Sequence, residues 1–212
     1  TYAPVDHLES LYTEALAHPD VIGLVIGTRP DCIQDDVLHL LETLSRRAYV
    51  SVEYGCESVY DKTLRWTGRG HTFAQLVEAV NKTAQYSIET GLHLILGFPT
   101  ETRTETLAGA AILSELPFQR LKIHHLHILK NTPLAERYAR DPFPLPTQDE
   151  YIQFVTDFVE RLSPAIVIER LCGESPPDIT LAPTWHLRGA EIFNLVREEL
   201  RRRKTVQGFY YT

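Results

Sequence analysis

The residues that could do chemistry gather at the ends of short apolar runs. Glu53 lies in YVSVEYG (49–55), where alternation places Tyr49, Ser51, Glu53 and Gly55 on one face and Val50, Val52 and Tyr54 on the other. A carboxylate near the end of the polar face can accept two ribose hydroxyls, or it can pair with an interior arginine. In GLHLILG (91–97) His93, Ile95 and Gly97 share a face. Gly97 would let a ligand approach the backbone, and GFPTET then turns into a helix that Thr100 or Thr102 can cap, with Glu101 in or near its first turn. GTRPDC (27–32) sets Arg29 and Asp31 around a proline; the guanidinium fork suits a carboxylate or phosphate, and a salt bridge within the turn is the alternative. His125 and His127, two apart, would project from one face of a strand as in metal-dependent hydrolases, with only His93 and Glu169 as further ligands. Cys32, Cys56 and Cys172 lie 24 and 116 residues apart, which excludes close-set zinc or iron–sulfur spacing within this chain.

The elements that position these residues follow from periodicity. VIGLVIG, YVSVEYG, GLHLILG, LKIHHLHIL and AIVIERLC read as buried strands starting at 21, 49, 91, 121 and 165, separated by 28, 42, 30 and 44 residues. Helical periods fill the gaps at 5–17, 35–47, 73–88, 102–116, 148–162 and 190–203, and Thr147 with Glu150 forms a capping-box pattern. That spacing predicts parallel strands with helical crossovers, an α/β fold whose functional site lies at the C-terminal strand ends. Patterning alone leaves an open sheet and a barrel both available. DPFPLP (141–146) is the one plausible internal boundary.

The 212 residues suit one domain of ordinary size, and 43% hydrophobic residues suffice for a sizeable core. A net charge of −7 argues against a chain coated for nucleic acid; RRRK (201–204) is a local exception that reads more simply as a solvated helix end. No apolar run is long enough to span a bilayer, and the N-terminal TYAPVDHLES has no apolar signal-peptide core. Three cysteines, an odd number, point to a reducing, cytoplasmic setting. The chain contains no methionine, which suggests part of a longer protein.

Taken together, the strand ends resemble a known family. EYGCESVYDKTLRWTGRGHT from Glu53 is similar to the ribose-binding strand and following loop of radical S-adenosylmethionine (SAM) enzymes, with Glu53, Gly55, Glu57, Ser58, Leu64, Arg69, Gly70 and His71 on the pattern. HLILGFPTET resembles the adenine-contacting strand, with Phe98 and Thr100 as departures, and NTPL from Asn131 matches the turn after the sixth barrel strand. TYAPVDHL, IGTRPDC, KIHHLHILKNTPLAERY and LCGESPPDITLAPTW resemble the YhcC/YtqA-like radical SAM family, related to anaerobic coproporphyrinogen oxidase and the catalytic subunit of elongator.

The resemblance implies an open partial TIM barrel over residues 1–140, holding the third to sixth strands, and a family-specific C-terminal extension over 141–212. It implies a [4Fe–4S] cluster that cleaves SAM reductively to a 5′-deoxyadenosyl radical, with the C-x-x-x-C-x-x-C cysteines upstream of Thr1, so that this fragment alone would be inactive. SAM would be held by Glu53, Gly55, Ser58, Ile95 and Gly97, with Arg29 a further candidate; Lys122, His124, His125, Arg170, Glu174 and Asp178 would line the substrate end. A reductant protein such as flavodoxin or ferredoxin is the implied partner, and a tRNA wobble uridine the implied substrate. The competing readings are a metal-dependent (βα)-barrel hydrolase built on His125 and His127, and a non-catalytic SAM-binding module.

Overall fold

Apolar runs bounded by glycine and proline become strands, and the amphipathic segments between them become helices. The computed structural model describes residues 1–185 and 188–212. In chain order it runs α1 (Val5–Ala17), β1 (Gly23–Thr28), a 3₁₀ turn (Pro30–Cys32), α2 (Asp35–Ser45), β2 (Tyr49–Glu57), α3 (Asp61–Thr67), α4 (Phe73–Thr83) and β3 (Glu89–Leu96). Then follow α5 (Arg103–Ser114), β4 (Arg120–His125), β5 (Ile128–Leu129), α6 (Pro133–Arg140), α7 (Gln148–Val159), β6 (Val167–Arg170), β7 (Thr180–Ala182) and α8 (Gly189–Arg203). Five strands form one parallel sheet in the order β1-β2-β3-β4-β6, an open α/β arrangement with successive strands adjacent, while β5 and β7 pair as a small antiparallel ribbon.

All five expected strands are present, but the runs at the sheet edges are less buried than expected. Val25 of β1 is 58% exposed and Val167 of β6 is 56% exposed. Both belong to edge strands, so these runs are not buried on both faces as central parallel strands are.

The chain divides into two compact units, residues Thr1–His93 with Leu116–Arg120, and Leu94–Glu115 with Leu121–Thr212. In the first, β1 and β2 align Gly27 opposite Glu53, so Glu53 stands level with the end of β1. Helix α2 buries Val37, Leu38, Leu40, Leu41 and Leu44 at helical spacing. Complete burial of a leucine such as Leu38 or Leu41 contributes about 1.5–3 kcal/mol. Tyr54, fully buried from the opposite face of β2 to Glu53, shares a 2.7 Å hydrogen bond with the Thr83 hydroxyl, which satisfies its polar end.

The second unit is organised by α5, α7 and α8. Thr102 and Thr147 close reciprocal capping boxes with Glu105 and Glu150 and so fix where α5 and α7 start. Tyr151, Val155 and Phe158 form a fully buried stripe along α7, and the Tyr151 hydroxyl donates to the Leu171 carbonyl at 2.6 Å. Two of the four basic residues at 201–204 are consumed internally. Arg203 donates to Asp157 at 2.6 Å, Glu160 at 2.9 Å and Glu199 at 2.6 Å, and Arg202 also binds Glu199. No described helix is long and apolar enough to cross a membrane.

Those pairs set an acid sensitivity. Hydrogen bonds from Arg202 and Arg203 hold the Glu199 carboxyl down at about 2, against an ordinary 4.5. In Asp157, burial pushes upward but the Arg203 and Arg103 hydrogen bonds win, and its pKa also falls. Both groups are ionised in the fold and take up protons more readily when unfolded, so their stabilisation is full above about pH 4.5 and is lost as pH drops toward 2. The thermal midpoint should therefore fall steeply over that window, and Glu199→Gln should flatten the slope. An equal slope in the variant would exclude this origin.

Candidate functional site

The site in the first unit is built on one face of β2. Residues 53, 55 and 57 alternate onto that face, opposite the valines and Tyr54 that pack into the core. Glu53 is buried, and its Oε2 lies 2.7 Å from His93 Nε2 on β3. One partner of Glu53 is therefore an imidazole. Leu92, Leu94 and Leu96 are buried while His93, Ile95 and Gly97 are partly exposed, so β3 has the expected two faces.

Glu57, the last residue of β2, adopts the left-handed conformation with φ 60. A non-glycine residue there costs roughly 1–2 kcal/mol, and such strain gathers where a side chain must be aimed. Its Oε1 lies 3.1 Å from Arg69 Nη2, which also donates to the Gly55 carbonyl at 3.3 Å. Burial pushes the Glu57 carboxyl up, opposed by the positive fields of Arg69 and His93. Gly55 makes this pairing possible. A Cβ there would stand 2.5 Å from Arg69 Nη2 and 2.7 Å from Glu57 Oε1.

His71 lies buried beside this group. Neither ring nitrogen has a hydrogen-bond partner among the described residues, and its ring is near enough to the Cys56 carbonyl to feel it without hydrogen-bond geometry. Burial and then Arg69 lower its pKa, against the opposing pull of Asp31, so the ring is neutral at pH 7. The first unit thus presents two carboxylates on one strand face, Glu53 buried and Glu57 half-buried, each with a nitrogen partner. Such a set accepts hydroxyl protons and holds cationic and anionic groups on the same ligand.

Other expected residues take different places. Arg29 donates from Nε to Asp31 at 2.9 Å, and its Nη2 completes a two-bonded pair: the turn salt bridge is what forms. Ser58 Oγ accepts from the Tyr60 backbone at 3.0 Å and shapes the turn into α3. In the second unit Gly97 takes φ 95 at the end of its strand, a conformation that favours glycine. Lys122 pairs with Glu169 at 3.5 Å; Asp178 accepts from Lys130 through its backbone carbonyl; Arg170 ends β6, exposed. His124 sits in β4, and only His125 and Glu174 of the substrate candidates line one cavity, of about 410 Å³.

His127 lies beyond β4, which ends at His125, so strand alternation does not place the two rings. They meet nevertheless, edge to face at 3.9 Å between centroids. Among the described residues no three His, Cys, Asp or Glu side chains form a group that could hold a metal ion. Glu57 and Arg69 were legible as motif positions, but their mutual pairing was not. Trp185, which stacks on His125, carried no signal beyond its residue type.

Comparison with known proteins bears on this arrangement. The model of the radical SAM superfamily matches residues 2–108, and that of the radical SAM C-terminal domain matches 118–202. YtqA of Bacillus subtilis is 36% identical over 211 residues, covering 100% of this chain and 66% of its own length. YhcC of Escherichia coli is 31% identical over 186 residues, covering 87% and 60%. The tRNA uridine(34) acetyltransferase of Methanocaldococcus infernus is 24% identical over 64% of this chain and 25% of its own. The structure of Elp3 from that archaeon, with an N-terminal deletion, superposes with a TM-score of 0.75 at 19% identity, over 88% of this chain and 43% of its own, a likeness of fold. The chain thus spans a little under two thirds of the YtqA and YhcC lengths.

Proposed function

This chain belongs to the radical SAM superfamily, in its YhcC/YtqA-like branch, and from that premise we propose that it is the SAM-holding part of an enzyme that cleaves SAM reductively. Proteins of the superfamily use a [4Fe–4S] cluster together with SAM. The described residues do not fit the cluster, because no group of ligands among them could hold a metal ion and the Cys56 thiol is buried, donating to the Ser58 carbonyl at 3.6 Å. They do fit SAM. At the cluster SAM supplies a 5′-deoxyadenosyl radical that removes a hydrogen atom from the substrate.

The observation that carries this reading is the pair of carboxylates on one face of β2, one buried and one half-buried. Glu53, steadied by His93, accepts ribose hydroxyls; Glu57 and Arg69 offer an acceptor and a cation to the charged amino-acid end. The burial of Glu53 and the partial burial of Glu57 strengthen these bonds. A tRNA uridine is the substrate that the acetyltransferase similarity suggests, a flavodoxin or ferredoxin the electron source, and the cytoplasm the setting. Residues 1–140 form the radical SAM part and 141–212 its extension.

Gly55→Ala tests the reading in the protein that carries this chain with a cluster-binding segment. The added Cβ would stand 2.5 Å from Arg69 Nη2 and 2.7 Å from Glu57 Oε1, so these side-chain ends must shift, and SAM affinity should fall at least tenfold by equilibrium dialysis while the cluster absorbance persists. Wild-type affinity in that variant would remove Glu57 and Arg69 from the site.

A further inference from the structure

We infer that the cavity of the second unit binds a flat, uncharged ring carried on an anionic tail, with the ring among Trp185, His125 and His127 and the tail at Arg188. It goes beyond the SAM reading and rests on residues of the second unit alone. The cavity, about 410 Å³, lies in the range of small-molecule sites.

Its floor is aromatic and neutral. His125 stacks on Trp185 with centroids 4.3 Å apart and planes 27° from parallel, and Tyr151 lies 5.0 Å from the same indole. Burial, then the neighbouring histidines, bring the His125 pKa down to about 3, and burial lowers His127 as well. Burial raises the Cys172 thiol to about 11, so all three line the cavity uncharged at pH 7. His125 Nδ1 is buried with no hydrogen-bond partner among the described residues, a cost of about 1–3 kcal/mol if it stays unmet. A flat ring in the cavity would add stacking on this floor.

The mouth is charged. Arg188 is exposed, lines the cavity and has no ion-pair partner among the described residues. Glu174, also at the mouth, accepts the Gly189 backbone N–H through Oε1 at 2.7 Å and forms no ion pair with Arg188 among the described residues. A guanidinium free to form a two-bonded pair selects a carboxylate or a phosphate. The same chemistry comes from a mononucleotide or from an aromatic acid.

The chain has two tryptophans, so Trp66→Phe leaves Trp185 as a lone fluorescent reporter. Titrating that variant with uridine 5′-monophosphate and with phenylacetate should give a saturable change in Trp185 emission for at least one of them. Saturation by the nucleotide alone identifies a nucleotide, by phenylacetate alone an aromatic acid, and by both the shared chemistry. Uridine and inorganic phosphate should each bind at least tenfold more weakly than the nucleotide if the nucleotide binds. Arg188→Ala should weaken the bound probe at least tenfold, and Arg188→Lys less. If Trp66→Phe does not fold, calorimetry on the unaltered chain against Trp185→Ala reads the same affinities. No saturable response to either probe, or an affinity unchanged by Arg188→Ala, overturns the inference.

Discussion

Glu53→Gln should lower SAM affinity by roughly 10- to 100-fold, with a smaller effect on folding. The substitution keeps the shape of the side chain but removes its charge and half its acceptor capacity. A hydrogen bond to a charged group contributes about 1.5–3 kcal/mol, which is a factor of that size. Glutamine can still bond His93 across the 2.7 Å that Glu53 spans, so the strand pair should stay intact. Glu57→Gln should weaken SAM comparably by ending the pairing with Arg69. Equilibrium dialysis on cluster-reconstituted protein reads both. Affinity unchanged in the two variants together would mean that β2 does not hold the ligand.

Arg203→Ala should be the most destabilising single change in the second unit outside its apolar core. Its guanidinium holds Asp157, Glu160 and Glu199, of which Glu160 is 3% exposed, so deletion strands a buried carboxylate. Breaking a buried pair from one side costs roughly 3–5 kcal/mol, a fall of about 10 °C in Tm for a chain of this size. Arg202 binds the same Glu199 with its side chain 69% exposed, and Arg202→Ala should cost under about 1 kcal/mol. Thermal melts of the two variants at pH 7 distinguish the roles; equal midpoints would show that burial of the network does not govern its strength.

The contrast between what was readable and what was not follows element size and chemistry. β2 and β3 announced themselves through alternation, and α2 and α7 through apolar stripes with clear ends, so the strand-helix order was legible. Helices α3 and α6 were not. The first has seven residues; the second has eight and buries none of them, leaving no stripe to detect. Asn131 with φ 60, Thr132 as the cap and Pro133 at the first turn explain α6 afterwards as capping chemistry. Strand β6 reads as buried because Val167 and Ile168 lead it, yet residue type does not reveal edge position.

Within the site, Glu53 was visible as a carboxylate on a polar strand face, while its imidazole partner, 40 residues away, depended on strand pairing. Glu57 is visible as a motif position, but its left-handed backbone and its bond to Arg69 belong to three-dimensional structure. Arg29 shows the reverse: the turn salt bridge, offered beside the ligand role, is what the fold forms. The two histidines sit together for a reason other than strand alternation, and Trp185 brings them into an aromatic floor that spacing could not foretell.

The central claim is that this chain holds SAM for reductive cleavage. The direct measurement uses protein carrying this chain with its cluster-binding segment, reconstituted anaerobically with iron and sulfide, given SAM and dithionite, and assayed for 5′-deoxyadenosine by mass spectrometry. The account predicts that 5′-deoxyadenosine forms and that Glu53→Gln and Glu57→Gln, with intact cluster absorbance, form at least tenfold less at limiting SAM. An intact cluster with no 5′-deoxyadenosine, or full yield from both variants under the same conditions, would contradict it.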